Sequence, residues 1–163
     1  MKRYMDRFIT LSCICVISML LFTGCNKDQD VKNYSYTFRD ENDLWEAEYK
    51  LEGTIIFFTN DKGTLEVEDH FDDALIVAYK GKLQDLQGIR KVKISYDGAS
   101  RGGSLNAEYG EKEHINSKVF KLIGGGSGAT PSEDGVIKVT IQIDDWETQN
   151  LELTTEKQKF KTY

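Results

Sequence analysis

Three of the reagents that small proteins use for chemistry or bracing are scarce here. Of three cysteines, Cys13 and Cys15 lie in an apolar N-terminal run, so a chain processed after residue 24 keeps only Cys25. One thiol cannot form an internal disulfide, so stability has to come from the core. The two histidines, His70 and His114, stand 44 residues apart and have neither HExxH nor Cys/His zinc spacing. No window carries helical periodicity beyond about two turns, which argues against a helical domain. Basic residues are also in deficit, 21 against 27 acidic. Removing a leader that holds Lys2, Arg3, Asp6 and Arg7 leaves 18 basic and 26 acidic residues, a net charge of −8. Such a surface repels nucleic acid and anionic lipid headgroups, and no nucleic-acid partner is expected.

What is present at the start is a targeting segment. Lys2, Arg3 and Arg7 precede fifteen uncharged residues, 8–22, enough for a signal-peptide core but short of the roughly 20 that span a bilayer. Its end, Leu21-Phe22-Thr23-Gly24-Cys25, has the form of a lipobox, in which the cysteine is diacylated on sulfur and becomes the first mature residue. The expectation is a lipoprotein signal peptide over 1–24, lipidation at Cys25 and a polar tether over 25–35. Acyl chains would then hold the domain on the extracytoplasmic face of the cell membrane. Extended, eleven tether residues reach roughly 35 Å.

Residues 36–163 read as one domain built from strands. Trp45, Ala47, Tyr49 and Leu51 alternate with Glu46, Glu48, Lys50 and Glu52, the period-two pattern of a half-buried strand. Asn60-Asp61-Lys62-Gly63 is turn chemistry between TIIFF and TLEVE. ALIVAY reads as a central strand, KVKISYDG and SLNAEYG as further strands, and VIKVTIQID as the clearest, with Ile137, Val139, Ile141 and Ile143 facing inward. About eight short strands joined by Gly, Asn and Asp turns predict an all-β, antiparallel β-sandwich, immunoglobulin-like in general architecture.

Two stretches, YTFRDENDLWEAEYKLEG (36–53) and GGGSGATPSEDGVIKVTIQID (124–144), together resemble small lipoproteins of Bacillus-like Gram-positive bacteria. In those proteins a phrase such as GESENW-x-V-x-Y opens the domain and a GGTG phrase lies near its end. Here the first departs at its glycine and serine, and the second carries Asp144-Asp145-Trp146 where the family has an immediate tryptophan. The resemblance implies an envelope location and a β-rich domain, and assigns no catalytic residue.

Candidate chemistry is sparse. The run GGGSGATPSED after VFKLI lacks the lysine of a phosphate loop, ends in acids, and leads into a strand rather than the helix a dinucleotide site needs. It reads as a crossover loop, with Thr130-Pro131-Ser132-Glu133 shaped like a capping box. Ser127 is followed directly by Gly128, so no nucleophile elbow GxSxG is completed. EVEDHFDD places Asp69, Asp72 and Asp73 close in sequence, an oxygen set that calcium could use, but without EF-hand spacing. Trp45, Trp146 and eight tyrosines could form a ligand face but fit core packing better. These readings favour a non-enzymatic binding or interaction module without cofactor, its protein or envelope-polymer partner unnamed. A calcium- or envelope-polymer-binding domain and an enzyme of unrecognised type are the alternatives.

Overall fold

The computed structural model describes residues 29–98, 101–129 and 132–155. Its strands are β1 (Gln29–Glu41), β2 (Trp45–Thr59), β3 (Leu65–Tyr79), β4 (Lys91–Asp97), β5 (Gly102–Glu108), β6 (Val119–Ser127), β7 (Ile137–Ile143) and β8 (Gln149–Thr155). One 3₁₀ turn, Leu83–Leu86, interrupts them. All eight strands are antiparallel, in the order β5-β4-β7-β8-β1-β2-β3-β6. The sheet folds into two facing halves. One holds the meander β1-β2-β3 with β6, the other β5-β4-β7-β8. Two pairings, Phe38 with Thr155 and Arg39 with Thr154, stitch the halves into one nearly closed sheet.

Asparagines shape two hairpins. Asn42 Oδ1 accepts from the backbone N–H of Leu44 and Trp45 at 2.9 and 2.8 Å, which closes β1 onto β2. Asn60 Oδ1 does the same for Lys62 and Thr64 at 2.9 and 3.0 Å, and Gly63 takes the positive φ of 78° that this turn requires. Asp144 is the one described non-glycine residue with positive φ, at 40°. Its carboxylate accepts from the backbone N–H of Arg90 and Lys91, which fixes the start of β4 beside the end of β7.

Side chains that alternate inward meet between the halves. Phe38, Tyr49, Leu51, Leu75 and Val77 from the first half and Ile94, Val139 and Leu153 from the second are fully buried. The halves differ in length. β1, β2 and β3 have 13, 15 and 15 residues, while β4, β5, β7 and β8 have seven each. The meander therefore outruns its cover, and the inward-facing Ile55 and Phe57 of β2 are only half-buried. Beside them Leu65 and Val67 are 65% and 55% exposed, forming an apolar ledge.

Two expectations change. The segment 25–35 is not all tether, because residues 29–35 belong to β1 and pair with residues 52–58 of β2. Their polar composition hid the strand. Residues 29–35 stay almost wholly exposed, so this part of the strand is held by its backbone pairing with β2. The glycine run is not a loop from its start either, because residues 124–127 lie in β6, opposite residues 70–73 of β3. The turn proper comes later, with Gly135 N–H donating to Ser132 O at 2.8 Å. The capping threonine and proline at 130 and 131 lie outside the described residues.

Candidate functional site: a buried carboxylate under the open seam

β3 places Asp73 at an inward position between Phe71 and Leu75, so the pleat drives a carboxylate into the core. It is 4% exposed. Tyr49 from β2 and Tyr96 from β4 both donate to its Oδ2, at 3.0 and 2.8 Å. The two rings pack on each other with centroids 5.3 Å apart, so this one acid ties the two halves together. Arg101, just before β5, reaches across the seam between β5 and β6. Its Nη2 lies 3.2 Å from Asp73 Oδ1 and donates to the Gly125 carbonyl at 3.1 Å, and its guanidinium stacks 4.8 Å from the Phe71 ring. The ion pair is off hydrogen-bonding geometry, so Asp73 Oδ1 and Arg101 Nε have no hydrogen-bond partner among the described residues.

This cluster explains the glycines. A Cβ on Gly124 would stand 2.5 Å from Asp73 Oδ1 and 2.7 Å from Arg101 Nη2, and one on Gly126 would stand 3.1 Å from Arg101 Nη1. The glycines clear a channel for an arginine crossing β6, a packing role in place of a phosphate cradle.

Burial, reinforced by the Asp73 charge, pushes the Tyr49 hydroxyl well above the ordinary tyrosine range, and burial with the Asp73 hydrogen bond raises Tyr96. Burial alone would lower Arg101, but Tyr96 and Asp73 outweigh it and hold the guanidinium charged. Below about pH 10 both tyrosines are protonated in the folded and unfolded chain, and their full contribution is present. Above it the unfolded tyrosines ionise while the buried ones hold their protons. Stability therefore falls, by about 1.4 kcal/mol per pH unit for each. Ultraviolet titration should show Tyr49 and Tyr96 ionising only as the fold is lost. Ionisation of every tyrosine near pH 10 with the fold intact would contradict this geometry.

The other sequence candidates scatter. Strand alternation sends Asp72 to the outer face and Asp69 and Asp73 inward, where Tyr34 donates to Asp69 at 2.8 Å. Among the described residues no three acidic, histidine or cysteine groups come together to hold a metal. His114 is exposed in the β5–β6 connection. His70 lies opposite Ser127, with Glu68 at 4.0 Å, but its side chain is 64% exposed and no hydrogen bond joins it to the serine. Trp45 is core, packed at a tilt against Tyr79 and Phe120, and Trp146 lies against Tyr79 at the surface. Cys25 lies outside the described residues. An open trough of about 870 Å³ crosses the meander and β6 near Tyr34, Gly53, His70, Phe71, Asp72 and Gly126.

Sequence reading missed Asp73 as a core residue, although its position between Phe71 and Leu75 in the inward alternation was a usable signal. Arg101 carried none, because its partners are distant in sequence. These features define a nearly closed, eight-stranded antiparallel domain locked by one internal acid–tyrosine–arginine cluster. No protein-family model, curated protein or solved structure matches the chain.

Proposed function

We propose that the chain is a lipid-anchored, extracytoplasmic domain that works as a non-enzymatic binding module, taking a protein or envelope polymer as its partner. The observation that carries this reading is the ledge, where exposed Leu65 and Val67 share one face with half-buried Ile55 and Phe57 beyond the shorter half. Exposed apolar surface of this kind is characteristic of interaction sites. The buried acid, by contrast, is engaged by two tyrosines and an arginine, an arrangement suited to bracing. The calcium variant draws no support from carboxylates split between two faces, and the enzyme variant none from a solvated His70 unbonded to Ser127.

In this reading the anchor would lie close to the ledge. β1 starts at Gln29, four residues after Cys25, and Gln29 pairs with Phe58. Four extended residues reach about 14 Å, so lipidation at Cys25 would hold the ledge near the bilayer instead of a long tether's length above it.

Photo-crosslinking amino acids at Leu65 and Val67 in the full chain, in native membranes, should capture a protein or polymer that the same probe at Lys112 does not. Equal capture at all three positions would refute the ledge. Incorporation of a palmitate analogue should be lost in Cys25→Ala, and equal label in wild type and variant would refute the anchor.

A further inference from the structure

The last strand of the sheet, β6, has β3 on one side and, among the described residues, no backbone-paired strand on the other. Natural edge strands are normally short, charged, bulged or interrupted by proline. β6 is nine residues long, has no proline and carries a single charge, Lys121. The backbone carbonyl of Lys118 accepts from Tyr79 of β3 at 2.9 Å, so even-numbered residues turn their backbone groups to β3 and odd-numbered ones to the open side. The side chains of the odd-numbered residues lie on the outer face, where Val119 is 41% and Ile123 83% exposed.

We propose that β6 is a dimerisation edge that pairs antiparallel with β6 of a second copy, in a register centred on Ile123. That register is self-complementary, as a two-fold interface demands. Ile123 meets Ile123 of the second copy, apolar on apolar. Lys121 falls opposite Gly125 of the second copy, whose β3 neighbour is Asp72. Because Gly125 has no side chain, the Asp72 carboxylate leans over it, with Oδ1 2.8 Å from where a Cβ would stand. Each Lys121 ammonium therefore meets an acidic group, and the symmetry supplies the contact twice. A register centred on Lys121 would set the two ammonium groups against each other. Arg101 already donates to the Gly125 carbonyl from the interior side, where Asp73 and Phe71 lie, and that oxygen keeps a second lone pair for an in-plane donor. So short an edge gives a weak dimer, which anchoring of both copies in one bilayer would concentrate.

The register makes a sharp test by oxidation of full-length protein in its membrane. Directly opposed hydrogen-bonded residues sit with Cα atoms about 5.5 Å apart, inside the roughly 4.4–6.8 Å a disulfide accepts. Ile123→Cys should give a covalent dimer. Lys121→Cys should not, since its two copies would lie about 14 Å apart, four residues along a strand. Lys121→Asp should weaken crosslinking at Ile123→Cys about tenfold, and adding Asp72→Lys should restore it. Both cysteine positions are on the surface, so an unchanged thermal midpoint identifies folded variants. Monomer only from folded Ile123→Cys, equal crosslinking at both positions, or a disulfide to a different protein would each overturn the proposal. The ledge crosslinks at Leu65 and Val67 are independent of all three.

Discussion

Asp73→Ala should lower the unfolding free energy by about 3–5 kcal/mol, the range seen when one member of a buried charge pair is removed. The carboxylate is almost wholly excluded from solvent and is the shared acceptor for Tyr49 and Tyr96. Its removal leaves two buried hydroxyls without an acceptor and the Arg101 guanidinium without its counter-charge. Each has a desolvation cost that water can no longer offset. The side chain deleted is small, so cavity formation accounts for little of the loss. That distinction can be measured. In Asp73→Ala/Arg101→Met the orphaned charge is gone, and part of the lost stability should return, because an unpaired ion is worse than none. Urea unfolding of the wild type, both single variants and the double variant gives the coupling directly. A double variant that loses the sum of the two single losses would show that Asp73 and Arg101 act independently, contrary to the 3.2 Å approach between them.

The strands were legible because burial on one face leaves a period-two trace. Trp45, Ala47, Tyr49 and Leu51 face the core as their alternation predicts, and so do Ile137, Val139, Ile141 and Ile143. What stayed hidden depends on partners far off in sequence. Residues 29–35 are polar and look like a tether, yet they form a strand because residues 52–58 offer an unpaired backbone ladder. The glycines at 124–126 resemble a loop by composition. They are extended because Arg101, 23 residues upstream of Gly124, needs the space their missing side chains leave. The acidic cluster is split between two faces for a simpler reason. Closeness in sequence suggests a common ligand, but on a strand adjacent carboxylates point to opposite faces, and Asp72 and Asp73 are adjacent. The ledge and the β6 edge follow from relative strand lengths and strand order, which local pattern does not encode.

Trp45→Ala should cost a further 3–5 kcal/mol by a different mechanism, loss of packing at the end of the core remote from Asp73. Trp45 begins β2, is 1% exposed, and pairs in register with Tyr79 at the end of β3. Its ring centroid lies 5.0 Å from Tyr79 and 6.3 Å from Phe120, so one indole joins β2, β3 and β6. Truncation removes those contacts and leaves a void that the surrounding strands, held by their ladders, can only partly close. For a domain of this size the thermal midpoint should fall by about 10–20 °C. Trp45→Phe keeps most of the apolar volume and should cost a fraction of that. Fluorescence supplies a second readout. The solvent-shielded emission belongs to Trp45, and Trp45→Ala should leave only the redder emission of Trp146, which is 36% exposed. A loss below about 1 kcal/mol, with the emission unchanged, would mean that Trp45 is not the core residue described and that the tryptophan near the start of the domain is available for a ligand. Combined with Asp73→Ala the two losses should add, since the sites share no partner and sit at different levels of the core.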